Sequence, residues 1–323
     1  MAFENEVSPN TEARHQGRLA YAELDDLLPK NIVGPIFEKA QESSLVLRMG
    51  QRIPVTYGET VIPVNTVRPE VGQVGVGTSN ADREGYEKPT SGVAWGSKSL
   101  SPIKLATIVT VSEEFARMNV HGLYDQIQSD LAFAIGRGID LAVFHGLRPD
   151  TGAALQGVDS SNVLANANNV QLGENLVDSL LDGYETVAAS HEFNGWAVDP
   201  RYRARIARAM VSTDANGNPT DPAAVNLAAQ QGSLLGFPAQ FGRAVGGDLG
   251  AATDSGIRVV GGDWSQLRYG FADQVRVKVS DQATINGVSM WQTNQIALLV
   301  EVTFGWVVGD LDAFATFSPE SAS

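Results

Sequence analysis

The sequence predicts an α+β fold on three observations: strand-like alternation at 103–111 and 296–308, an apolar stripe repeating every four residues between them, and a glycine-rich stretch at 57–100. In the first strand Ile103, Leu105, Val109 and Val111 share one face, with Lys104, Ala106, Ile108 and Thr110 on the other. The last long strand alternates Ile296, Leu298, Val300, Val302, Phe304, Trp306 and Val308. Leu123, Ile127, Leu131, Ile135, Ile139 and Val143 form the stripe of a helix running from about His121 to His145, with Asp125, Asp130, Arg137 and Asp140 placed off it. Gly146 stands where a glycine stop belongs, and the helix would be about 35 Å long.

The remaining elements follow in order. Residues 1–20 are polar, and Leu27, Leu28, Ile32, Val33, Ile36 and Phe37 predict a short helix ending near Lys39. Ser44 to Val55 reads as strand, with Pro54 confining it to an edge or an end. Seven glycines and scattered valines leave 57–100 without an apolar face of its own, which predicts a projecting arm or long hairpin packed by another subunit. Ser112-Glu113-Glu114 is a helix start whose acids suit the positive end of the helix dipole. Residues 150–170 form a loop between two lobes, and a second helix spans about 174–190. Gly195-Trp196-Ala197-Val198 is a buried strand, and Asp199-Pro200 opens a helix ringed by Arg201, Arg203, Arg205 and Arg208. Leu234-Leu235-Gly236-Phe237-Pro238 and Arg258–Trp264 are strand-and-turn units, and Val275, Val277 and Val279 alternate as a further strand.

Composition excludes several functions. No cysteine is present, so disulfides, thiolate metal sites and a cysteine nucleophile are out, and assembly in a cytoplasm is expected. No apolar run is long enough to span a membrane. A net charge of −14 argues against binding a phosphate backbone. The four histidines, at 15, 121, 145 and 191, form no HExxH pattern. There is no nucleophile elbow or Walker loop, and Asp214–Pro219 lacks the twelfth-position glutamate of a calcium loop, carrying Val225 there. Neither a cofactor nor an enzymatic turnover is expected.

The order of these parts resembles the major capsid proteins of tailed double-stranded DNA bacteriophages, whose shared architecture is the Hong Kong 97 fold. The resemblance rests on Lys104-Leu105-Ala106-Thr107-Ile108-Val109-Thr110-Val111-Ser112-Glu113-Glu114-Phe115, on the long helix closing in Asp140-Leu141-Ala142-Val143-Phe144-His145-Gly146, and on the later blocks Trp196–Pro200, Leu235–Pro238 and Gly262-Asp263-Trp264. It implies an N-terminal arm at 1–45 and an extended loop at 57–100 lying over a neighbour. A peripheral domain would combine 46–56, 101–150 with its spine helix, and 257–305. An axial domain would cover 151–256, with 306–323 returning to it as the C-terminal strand. The implied function is self-assembly into hexamers and pentamers of an icosahedral head that encloses double-stranded DNA without specific binding. Implied partners are other copies of the chain, a portal, decoration proteins and a separate scaffolding protein, the last because the lead from Met1 is short. An encapsulin-like compartment shell is the nearest alternative and a soluble two-lobed enzyme the more distant one.

A cross-linking branch of that family uses a lysine followed by proline in the extended loop, and an asparagine seven residues before a glutamate on the last long strand. The resemblance therefore implies Lys88, followed by Pro89, with Asn294 and Glu301 as a reacting set for an isopeptide bond. Tyr86 and Trp95 would be apolar cover for the lysine. The odd spacing of Asn294 and Glu301 on one strand would put them on opposite faces, so that they serve different neighbours.

Overall fold

The computed structural model describes residues 40, 43–58, 60–67, 69–73, 88, 90–92, 94–114, 123–173, 175–209 and 232–319. The helix expected before Lys39 and the turn at 214–219 lie outside them.

Chain order gives α1 (Leu45–Met49), β1 (Gln51–Arg52), β2 (Thr60–Val67), β3 (Ala94–Leu100), β4 (Ile103–Ser112) and α2 (Leu123–His145). There follow β5 (Asn168–Leu172), α3 (Leu176–Ala188), β6 (Gly195–Val198), α4 (Arg203–Ala209), β7 (Ser233–Leu234), β8 (Phe237–Phe241) and β9 (Val259–Gly262). The chain ends through β10 (Leu267–Ser280), β11 (Thr284–Ile285), β12 (Val288–Ser289), β13 (Gln295–Val308) and β14 (Phe314–Pro319). One four-stranded sheet has the order β1-β10-β13-β4 and a six-stranded sheet the order β5-β14-β9-β6-β8-β7.

In the four-stranded sheet, even-numbered residues of β13 point inward and are buried, while β4 alternates half-buried and exposed along its length. The long helix α2 covers the inward face, burying Leu131, Ile135, Ile139 and Val143 as its stripe requires. Gly146 ends it at φ +66°, a left-handed stop that a side chain would strain. The same core takes in Phe304, Trp306 and Tyr269. Trp306 also donates from Nε1 to the Asn162 carbonyl at 2.8 Å, which pins the 160–166 loop to β13.

The segment read as a strand at 44–55 is instead a helix over Leu45–Met49 followed by the two-residue edge strand β1. Its local signals are β-like, but its first amides are satisfied from elsewhere in the fold. Leu47 N–H donates to Ser44 Oγ at 3.2 Å, and Leu45 and Val46 N–H donate to the Asp140 carboxylate at 3.0 and 3.1 Å. Asp140, placed off the helix stripe by sequence, is therefore buried, and Ser44 Oγ donates to it at 2.5 Å. Gly136, one turn earlier on α2, leaves room for this approach: a Cβ there would stand 2.6 Å from Ser43 Oγ.

The glycine-rich excursion begins and ends as a hairpin, with β2 antiparallel to β3 from Thr60↔Leu100 to Val67↔Ala94. Its base is held by a small cluster of Val55, Ile62, Leu100 and Val307. Residues 74–87 lie outside the description apart from the sequence they carry.

The six-stranded sheet has its own core, in which α3 and α4 cover Trp196, Val198, Val259 and Phe317. β9, expected with the first unit, pairs here instead, antiparallel to both β6 and β14. The chain changes sheets around Asp263, where Asn194 Nδ2 donates to its carboxylate at 2.8 Å and the carboxylate caps Ser265 N–H at 3.0 Å. The second crossing comes after Val308, three residues later than the expected boundary at 305.

Helix α3 meets β14 with no spare volume: a Cβ on Gly183 would overlap the Phe317 ring. Gly183→Ala gains about 1 kcal/mol of helix propensity but forces the ring off its rotamer at about 1–3 kcal/mol. A net loss of up to about 2 kcal/mol is expected, read as a lower urea midpoint. A stabilised variant would show that the ring has room to turn.

Candidate functional site

β13 runs through the middle of the four-stranded sheet and carries Glu301 on the face turned away from α2. Its register sets Glu301 opposite Arg276 of β10 and Ala106 of β4. Lys278 pairs with Leu299 and Lys104 with Thr303, so one lysine reaches the carboxylate diagonally from each flanking strand. Lys278 Nζ lies 3.5 Å from Oε1 and Lys104 Nζ 3.7 Å from Oε2. The Glu301 side chain is 16 % exposed, against 60 % and 61 % for the two lysines. The carboxylate is thus recessed in the sheet between two solvated ammonium groups. Arg276, its direct neighbour, is engaged with Asp273 at 2.5 Å.

Asn294 does not sit on the strand. It is the residue before β13, in left-handed conformation at φ +49°, with its carbonyl accepting from Glu113 N–H at 2.8 Å and its side chain exposed. The face argument for separating it from Glu301 fails, because strand alternation does not extend into a left-handed turn residue. Distance replaces it. Seven residues of nearly extended chain put the two about 23 Å apart, so one chain's Asn294 and Glu301 cannot act on the same bond. Lys88 is exposed and outside every element, and no hydrogen bond or ion pair joins it to Asn294 or Glu301 among the described residues. Tyr86 falls outside the described residues, as does the side chain of Trp95.

Two cations beside Glu301 were not anticipated. Lys104 and Lys278 lie in alternating segments read correctly as strands, but their convergence depends on the register of three strands distant in sequence. Among the described residues no group of three or more histidine, aspartate or glutamate side chains could hold a metal ion, and no helix is long and apolar enough to cross a membrane.

This geometry offers a carboxylate that can take a proton and an exposed amide that can be attacked. The sequence matches the phage capsid family over residues 25–318, which takes in both sheets and α2. The chain belongs to the phage capsid family. Members of this family are structural capsid proteins, not an enzyme family. The chain is 24 % identical to the "Probable major capsid protein gp17" of Mycobacterium phage D29 over 311 residues, covering 87 % of this chain and 86 % of that one. A solved chain from Gordonia phage Cozz superposes with a TM-score of 0.71 at 31 % identity, covering 86 % of this chain and 87 % of that chain. A solved capsid of an empty GTA particle, at 13 % identity, shares the fold with a TM-score of 0.56 over 91 % of this chain and 92 % of that one. The mixed helix-and-strand architecture is therefore that of phage capsid structures, and the chain is a component of a virion.

Proposed function

We propose that the chain is the major capsid protein of a phage head of the Hong Kong 97 type, assembling into hexamers and pentamers of an icosahedral shell around double-stranded DNA. The observation that carries this reading is the family match over 25–318, which includes the hairpin whose base is held by Val55, Ile62, Leu100 and Val307. Head-to-tail contacts that close on themselves generate rings, and a projecting hairpin gains its missing apolar partner from the next subunit. The −14 charge keeps the lumen from adsorbing DNA, so the genome is enclosed without specific contacts. A scaffolding protein, a portal and decoration proteins complete the set of partners, with assembly in the host cytoplasm.

Mature shells are covalently joined in this reading. The neutral Lys88 amine of one subunit attacks the side-chain carbonyl carbon of Asn294 in a second, and Glu301 of a third takes the amine proton. The tetrahedral adduct collapses with expulsion of ammonia, which leaves with that proton, and an amide bond joins Lys88 Nζ to the former Asn294 side chain. Its support is the recessed Glu301 and the exposed Asn294 at the head of the same strand, too far apart to cooperate within one chain. Electron microscopy of the expressed protein tests the shell. Closed particles of uniform diameter are expected, and a monodisperse 34.3 kDa monomer would overturn the assignment.

A further inference from the structure

The six-stranded sheet carries two helices whose solvent faces are opposite in charge. α3 lies across β5 and β14, while α4 follows β6 and rests on β8, where the Arg203 guanidinium sits 4.6 Å from the Phe241 ring. In the order β5-β14-β9-β6-β8-β7 the two helices therefore occupy opposite halves of one sheet. Every charged residue of α3 is acidic, and Asp178, Asp182 and Glu185 are all exposed. Every charged residue from Arg201 to Ala209 is an arginine, and all of these are exposed too.

In the middle of the acidic face stands Leu181, 41 % exposed. The carboxylates of Asp178, Asp182 and Glu185 stand three residues before it, one after and four after, which rings it on the helix surface. Ala204 of α4 is exposed and has Arg201, Arg205 and Arg208 at the same three offsets. The first member of each set is used within its own chain, Asp178 by Asn175 and Arg201 by Asp199 and Asp248. The other two of each set, Asp182 and Glu185 on α3 and Arg205 and Arg208 on α4, make no ion pair among the described residues. An apolar side chain ringed by carboxylates and a small one ringed by guanidinium groups are the two halves of one contact.

We propose that α3 of one copy packs against α4 of the next around the rings of the shell, with Leu181 seated on Ala204 and with Asp182 and Glu185 paired to Arg205 and Arg208. A second copy is the occupant because a single chain holds both halves. Each half sits on a different helix, so a copy that fills its neighbour's acidic face still presents its own, which is a head-to-tail contact that closes by rotation. The contact rests on the ring-forming shell proposed above and goes beyond it by naming the faces that meet. Leu181 excludes water from the contact, which strengthens ion pairs that solvent and salt would otherwise weaken. Sign also fixes orientation, since α3 on α3 or α4 on α4 would bring like charges together.

The chain has no native cysteine, so introduced thiols have no competitors. Leu181→Cys is combined with Ala204→Cys in a Lys88→Arg background that removes the isopeptide nucleophile. Mild oxidation of assembled particles is expected to give a ladder reaching closed rings that reductant dissolves, while either cysteine alone stays monomeric. Dimers from a single cysteine would mean a two-fold contact of like faces. An intrachain disulfide without a ladder, or free thiols in well-formed particles, would mean that the two faces do not meet. Each of these overturns the proposal. Should the cysteine pair not assemble, charge exchange decides. Asp182→Lys with Glu185→Lys, and Arg205→Glu with Arg208→Glu, should each cut particle yield about tenfold, and all four changes together should restore it. A combined variant no better than the worse pair sinks the contact. Wild type that forms no closed particles would sink the shell reading and this contact with it, whereas well-formed particles without trapping leave the shell standing and remove the contact alone.

Discussion

Mature wild-type particles are expected to run on a denaturing, reducing gel as a ladder above the 34.3 kDa subunit, and Lys88→Arg particles as that single band. The effect is all or none because the guanidinium stays protonated and offers no amine lone pair, while its charge preserves whatever ionic contacts the position makes. Asn294→Ala should do the same by removing the electrophile, and Glu301→Gln should slow the reaction without changing its products. Placing the lysine and the asparagine in different subunits leads to a sharper expectation. Particles co-assembled from Lys88→Arg and Asn294→Ala subunits retain one reacting end per subunit, so cross-linking should stop at dimers. Reaction within a single chain would leave the mixture entirely as monomer. A wild-type preparation that runs only at 34.3 kDa would defeat the reaction, and a ladder surviving Lys88→Arg would defeat the choice of lysine.

Much of this framework can be read from periodicity, and the parts that cannot share a physical cause. β4 and α2 were legible because each has one covered face at its own period, β13 because its inward positions alternate in large apolar residues, and Gly146 marks the end of α2 with a backbone conformation that favours glycine. The helix at Leu45–Met49 was not legible. Ser44 caps Leu47 N–H locally, but the acceptor for its first two amides lies 95 residues away on Asp140, and local propensity carries no trace of an acceptor supplied by tertiary structure. The same pairing hid Asp140 itself, since a carboxylate off an apolar stripe is ordinarily solvated and here faces three donors instead. β9 was assigned to the wrong sheet because Val259-Val260-Gly261-Gly262 is buried throughout and shows no alternation to indicate which core it serves.

The candidate site divides in the same way. Lys88, Asn294 and Glu301 were named from spacing within a family pattern, which fixes residue types but not their conformations. The left-handed turn at Asn294 and the two lysines around Glu301 depend on how β13 is entered and on which residues of β4 and β10 lie opposite. Arg137 is the extreme case. It was placed off the apolar stripe of the helix, yet its Nε is buried with no hydrogen-bond partner.

Asp140 gives the largest expected pH effect. Asp140→Ala leaves the Ser44 hydroxyl and the Leu45 and Val46 amides buried without an acceptor, and should cost about 3 kcal/mol or more in urea unfolding of dissociated subunits. Burial pushes the Asp140 carboxyl up to about 6 from its usual 3.8, against the opposing pull of those three donors and of the nearby Arg48 charge. Because the folded state then holds the proton more tightly than the unfolded chain, the associated stability is fully present below about pH 4. It is lost as pH rises through about 6, by at most about 3 kcal/mol. Asp140→Asn cannot titrate and offers one acceptor oxygen for several donors, so it should be less stable than wild type while lacking this slope. The stability difference between wild type and Asp140→Asn should therefore narrow as pH is raised from 4 to 7. A difference that widens over that interval would mean that the three donors outweigh burial and hold Asp140 as a carboxylate, with its pKa depressed and the sign of the linkage reversed.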